Sequence, residues 1–121
     1  MTIIDDFSRK VWTSFLRQKN EALSILKKWK ILVENQTGRK VKKLRTDRGL
    51  EFCDDEFTEF RAQAGIARHK TLPGRPQQNG VAERMNRTLL ERAPCMFSNA
   101  GLWHRRDLWT EAVSTACRTS Y

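Results

Sequence analysis

The chain has 121 residues, room for one domain with one modest core. Its 39% apolar content and four Trp exclude a disordered chain, and no apolar run approaches a membrane span. The formal net charge of +9 suits a polyanionic partner. The cations cluster at Lys27-Lys28, Arg39-Lys40, Lys42-Lys43, Arg45, Arg84, Arg87, Arg92 and Arg105-Arg106.

Two short strands are predicted first, at residues 2–4 and 11–16, around a turn at residues 5–10. The turn reads Asp5-Asp6-Phe7-Ser8-Arg9, and Asp and Ser side chains bond nearby main-chain groups in such turns. The second strand alternates Val11, Thr13, Phe15 against Trp12, Ser14, Leu16, so both faces are candidates for burial. Residues 19–36 are predicted as a helix, with Ala22, Ile25, Leu26, Trp29, Leu32 and Val33 on one apolar face and Gly38 as its stop. A strand over residues 41–46 then delivers Asp47, and Gly49 permits a tight turn. Asp54-Asp55-Glu56 starts a helix through Gln63, with acids at its positive end in a capping role, Phe57, Phe60 and Ala64 buried, and Gly65 ending it.

Residues 66–72 read as a strand carrying Arg68, His69 and Lys70. Pro73-Gly74-Arg75-Pro76-Gln77-Gln78-Asn79-Gly80 reads as a loop. A helix from Val81 carries Met85 and Leu89 on one stripe with the stem of Arg92, and Pro94 is expected to kink or break it near residues 90–93. Leu108, Trp109, Ala112, Val113 and Ala116 space out a last amphipathic helix. Cys53, Cys95 and Cys117 form no CxxC pair, fit a reducing compartment, and are expected as free core thiols. His69 and His104 lack partners at zinc-ligand spacing.

Asp47 and Glu83 are the candidate catalytic and metal-binding pair. They end a predicted strand and open a predicted helix, with 35 residues between them. Two carboxylates on different elements can share a divalent metal, because hard Mg²⁺ takes oxygen ligands and leaves its other positions to water and phosphate. Two such metals serve in-line phosphoryl transfer. The pair is expected with its carboxylates roughly 4–8 Å apart, the span of a shared metal site.

The stretches Lys43-Leu44-Arg45-Thr46-Asp47-Arg48-Gly49-Leu50-Glu51-Phe52 and Pro73 through Leu89 closely resemble the catalytic core of a copia-type retrotransposon integrase. The resemblance runs from Ile4-Asp5-Asp6-Phe7-Ser8-Arg9 to Glu111-Ala112-Val113. It implies an α/β, ribonuclease H-like mixed sheet flanked by helices, with the whole chain one partial core domain that lacks the first strand. It implies Mg²⁺ or Mn²⁺ as cofactor, retroelement cDNA ends and target DNA as partners, self-association, and action in the nucleus after synthesis in the cytoplasm.

The family's three acids would place Asp47 second and Glu83 third. The first would fall on a strand before the Asp5-Asp6 turn, so the chain taken alone is expected to be inactive in strand transfer. Lys42, Lys43, Arg45, Arg84 and Arg87 would hold phosphates, and Gln77, Gln78 and Asn79 would engage DNA ends. Arg48, where the family usually has Asn, and Pro94 depart from the pattern. Three readings stay open: a piece of an active polynucleotidyl transferase core, a DNA-binding remnant without catalysis, and a basic interaction module unrelated to integration.

Overall fold

The computed structural model describes residues 1–46, 54–70 and 80–119. The chain divides into two compact units, one of Met1–Phe15 with Gly80–Tyr121 and one of Leu16–Asn79.

In the first unit, β1 (Thr2–Ile4) pairs antiparallel with β2 (Val11–Thr13), Ile4 facing Val11. The turn between them is built by its acids, as the sequence predicts. The Asp5 carboxylate accepts from the Ser8 N–H at 3.0 Å and from the Ser8 hydroxyl, and Asp6 pairs with Arg9 at 3.0 Å. Arg9 takes a positive φ of 62° to let the chain return. β2 stops at Thr13, three residues short of the predicted strand, and Phe15 is exposed rather than inward-facing. Beyond Thr13, Ser14 still exchanges main-chain bonds with Met1, at 2.6 and 2.8 Å.

Helix α3 (Gly80–Ala100) follows, and α4 (Trp109–Arg118) after a 3-10 turn at Arg106–Leu108. Val11, Leu89, Ala116 and Cys117 form a buried cluster, with Ile4, Met85 and Met96 packed against it. The buried stripe of α3 continues through Ala93 and Phe97, at the i, i+4 spacing begun by Met85 and Leu89. Phe97 stacks on Trp109 of α4 with ring centroids 6.0 Å apart.

The predicted break at Pro94 does not occur: α3 runs through it unbroken for 21 residues. A proline inside a helix removes one main-chain bond and costs about 3 kcal/mol or more. Here buried Ala93 and Phe97 flank it and hold the turn in place. The lost partner's residue, Leu90, is 58% exposed, so water can reach it. The Arg92 stem does not belong to the stripe either; Arg92 is exposed and its Nη1 donates to the Thr119 carbonyl at 3.4 Å.

In the second unit a 3-10 turn at Lys19–Glu21 leads into α1 (Ala22–Thr37). Ala22, Leu23 and Leu26 are buried, whereas Leu32, placed by periodicity on the inner face, is 49% exposed. The burial is confined to the first turns, so the face narrows along the helix. Gly38 ends α1 at φ 65° and Gly65 ends α2 (Asp55–Ala64) at φ 66°, both left-handed positions that favour glycine.

Asp54 occupies the N-cap position of α2, but its side chain makes no capping bond. Its main-chain carbonyl instead accepts from the Thr58 N–H at 3.1 Å. Phe57 is fully buried; Phe60 and Ala64 are only half-buried. β3 (Lys43–Thr46) and β4 (Ala67–Lys70) pair parallel; β3 starts two residues and β4 one residue later than predicted, and residues 71–72 of the second predicted strand lie outside the described residues. Among the described residues the strands thus form two separate pairs, one antiparallel and one parallel. No described helix is long and apolar enough to cross a membrane. Of the thiols, Cys117 is buried as expected, Cys95 is exposed, and Cys53 lies outside the described residues. The predicted loop at residues 73–79 lies outside them as well.

Candidate nucleic-acid and metal site

The pleat of β3 sorts its side chains. Lys43 and Arg45 are exposed, while Leu44 is half-buried and Thr46 is 7% exposed. Residues two apart share a face, so the two cations form one outward row. Exposed Lys42 precedes them, and its carbonyl accepts from the Ala67 N–H at 2.9 Å, which extends the pairing with β4. In the parallel register His69 lies beside Arg45 and is also exposed. His69, one of the basic side chains predicted on this strand, therefore sits beside the row.

Arg68 serves the other face. Its Nε donates to the Thr46 hydroxyl at 2.9 Å, and its guanidinium lies 5.1 Å from the Phe57 ring centroid. A cation over an aromatic face is attracted by the ring's negative quadrupole. Arg68 is thus a strut behind β3 rather than a surface cation.

Glu34, in the last turn of α1, was not singled out by pattern. Its side chain is 9% exposed. It accepts from Lys30 Nζ at 2.9 Å, the Val41 N–H at 2.9 Å and Lys40 Nζ at 3.4 Å. The Lys30 bond, with the Val41 main-chain bond next, pulls the Glu34 carboxyl down to about 2. A signal was available: an acid at the negative end of a helix is unfavourable unless cations or donors meet it.

Glu83 lies in the first turn of α3, where a carboxylate suits the positive helix end. It is exposed, as are Arg84 and Arg87. Among the described residues Glu83 makes no ion pair, so the i, i+4 pair with Arg87 is not closed. That leaves a hard oxygen donor open to a cation, which fits Mg²⁺ or Mn²⁺ chemistry. Asp47, Gln77, Gln78 and Asn79 lie outside the described residues, and so does the expected Asp47–Glu83 separation. Among the described residues no three His, Cys, Asp or Glu side chains gather as a metal site. Asp5 and Asp6 are engaged in their turn.

Taken separately, the strand row of cations suits phosphate oxygens, and the helix-borne carboxylate suits a divalent cation. The integrase core domain family matches residues 1–76. The chain is 48% identical over 117 residues to the retrovirus-related Pol polyprotein from transposon TNT 1-94 of Nicotiana tabacum, covering 97% of this chain and 9% of that protein. It is 30% identical over 113 residues to the corresponding polyprotein from transposon RE2 of Arabidopsis thaliana, covering 93% and 8%. The chain thus spans less than a tenth of the length of these relatives.

Among solved structures it resembles the simian T-cell lymphotropic virus intasome in complex with PP2A regulatory subunit B56 gamma, with TM-score 0.73 and 25% identity over 98% of this chain and 40% of that one. It also resembles the HTLV-2 integrase catalytic core domain in complex with magnesium, with TM-score 0.65 and 21% identity over 96% of this chain and 69% of that one. The fold is the mixed α/β, ribonuclease H-like fold of integrase catalytic cores. The chain belongs to the integrase core domain family of retroelement Pol polyproteins.

Proposed function

We propose that this chain is part of a retrotransposon integrase core that grips DNA by its phosphates and contributes Asp47 and Glu83 to a divalent-metal site. The observation that carries the reading is the outward row of Lys43 and Arg45 on β3, whose next residue in sequence after Thr46 is Asp47. Lys42, Lys43, Arg45, Arg84 and Arg87 hold phosphates, and Gln77, Gln78 and Asn79 meet DNA ends. Phosphate contacts fix register and orientation without reading sequence. The whole protein processes the 3′ ends of retroelement cDNA and joins them to target DNA in the nucleus, working as a homo-oligomer. The one domain comprises both compact units.

Asp47 and Glu83 would hold Mg²⁺ or Mn²⁺. When bound, such ions supply an activated oxygen nucleophile and neutralise charge on the reacting phosphate. The chain's own share is to position the DNA backbone, which costs little reorganisation if the cations are already fixed.

Two measurements test this. Fluorescence anisotropy with duplex DNA should show log K falling with log salt at about 0.9 per phosphate neutralised. Five contacts would cost several hundred-fold, on the order of 500, between about 50 and 200 mM salt. Salt-indifferent binding would sink the DNA half of the reading. Mn²⁺ should broaden the Glu83 amide resonance in the wild type and not in Glu83→Gln. Equal broadening in both would sink the metal half.

A further inference from the structure

β3 has a paired neighbour in β4, yet the chain that enters it, residues 38–42, belongs to no helix or strand. A four-residue strand fed by such a segment can pair in more than one register, and a slip of one residue would turn Lys43 and Arg45 inward. Something must fix the approach. Gly38 turns the chain, with its N–H bound to the Glu34 carbonyl at 2.9 Å. The Arg39 N–H donates to the Thr37 hydroxyl at 3.2 Å. The Val41 N–H donates to Glu34 Oε1 at 2.9 Å, two residues before β3 begins.

We propose that Glu34 is the positioning residue for the DNA-gripping strand: its carboxylate latches the Val41 main chain and so holds Lys43 and Arg45 in their outward register. This rests on the phosphate-binding role proposed above. The two oxygens divide the work. Oε1 takes the Val41 N–H, and Oε2 takes the ammonium groups of Lys30 and Lys40.

Glu34 is 9% exposed, so the charge needs partners to be tolerated there. Lys30 supplies that partner from one turn earlier on α1, with a side chain only 17% exposed. Lys40 is 80% exposed and closes the approach from the solvent side. A consequence follows for the basic cluster. Glu34 offsets one of the two ammonium charges, chiefly that of the closer and less exposed Lys30, so Lys30 and Lys40 together bring one net positive charge to the cluster rather than two.

Three variants of the 121-residue chain separate the parts. Glu34→Gln releases both lysines but keeps an oxygen for Val41. Glu34→Ala releases the lysines and the main chain together. Any difference between them therefore reports the Val41 latch and not the freed charge. In Glu34→Ala the affinity for duplex DNA should fall about tenfold or more below Glu34→Gln, with a salt slope lower by about 0.9 or more, the loss of at least one phosphate. The Val41 amide should exchange with solvent slowly in wild type and Glu34→Gln, and fast in Glu34→Ala.

If Glu34→Ala does not fold, Glu34→Asp takes its place. It keeps the charge, so it is compared with wild type rather than with Glu34→Gln; being one methylene too short to serve Val41 and Lys30 together, it should show the lower slope. Equal slopes and affinities for the latch-keeping and latch-losing variants would overturn the proposal. Wild-type protein that fails to bind DNA at low salt would instead overturn the DNA-binding role and leave the Val41 exchange result to decide the latch.

Discussion

The two compact units stay folded by different means. In the unit of Met1–Phe15 and Gly80–Tyr121, apolar side chains meet: Val11, Leu89, Ala116 and Cys117 are buried together, with Ile4, Met85 and Met96 against them. In the unit of Leu16–Asn79 the buried Ala22, Leu23, Leu26, Phe57 and Ile66 are joined by charged groups at their margin. The fully buried Phe57 has the Arg68 guanidinium over its ring, Lys27 lies 5.4 Å from the Phe60 centroid, and Glu34 is enclosed by two lysines and a main-chain N–H. The difference shows what a basic surface demands of a small fold. The unit carrying Lys42, Lys43 and Arg45 adds counter-charges and ring faces beside its buried aliphatic side chains. Its stability should therefore respond to salt and pH, and that of the other unit to lost volume.

Core truncation is the strongest way to test that division. Leu89→Ala removes a side chain 3% exposed in the apolar cluster and should cost about 2–5 kcal/mol. Phe57→Ala should cost about 3–5 kcal/mol, since it removes the packed ring and also the surface that receives Arg68. Urea unfolding followed by tryptophan fluorescence would measure both. The division predicts more: the Phe57→Ala penalty should shrink at about 1 M salt, where surface electrostatics are screened, and the Leu89→Ala penalty should not. Equal salt responses would show that Arg68 contributes nothing electrostatic to the Phe57 site.

A middle-sized effect lies in α3. Pro94 interrupts the main-chain bonding of an otherwise continuous helix, and its flanks Ala93 and Phe97 hold the turn by packing. Pro94→Ala should stabilise the chain by about 1–3 kcal/mol, the helix-interior proline penalty less the entropy that proline removes from the unfolded chain. A loss of stability would mean that the helix bends at Pro94 to fit its neighbours.

Element order was legible from the sequence because its punctuation is local. Gly38, Gly65 and Gly101 each sit at positive φ where a helix ends, and the acid-serine turn at residues 5–10 closes as its composition implies. What periodicity could not supply was the depth of burial. Leu32 and Trp109 fall on apolar stripes, yet both are exposed, because burial depends on what a helix meets and not on its own spacing. Pro94 shows the same limit in reverse, with tertiary packing carrying a helix past a residue that local chemistry would use to end it.

Of the proposed site, the sequence motifs single out the cations of β3 and the carboxylate of Glu83, and the structure shows these side chains exposed. The role of Glu34 was not legible there. Its partners lie four residues before it and six and seven after it, beyond a left-handed glycine, so no single period connects them. Strand register places His69 beside the row.

The most diagnostic effect is the acid response of Glu34, whose contribution is complete at neutral pH and is lost only in acid. Its partners hold the folded carboxyl near 2, against 4.5 for an unperturbed one, so protons bind the unfolded chain first as the pH falls. A depressed folded pKa gives stability that is complete above the unfolded value and drains away below it. Glu34 should therefore contribute nothing to the pH dependence from pH 8 down to about 5. Its contribution should be lost between roughly pH 4.5 and 2. Glu34→Gln removes that titration, so its stability curve should be flatter than wild type through the same window. Asp107, also lowered by its bond to Arg105, keeps some slope in the variant. Equilibrium urea midpoints at half-unit pH steps would resolve the two curves. Parallel wild-type and Glu34→Gln acid limbs would mean that Glu34 is not held by Lys30 and Val41 in solution, and the charged margin of the Leu16–Asn79 unit would lose its central member.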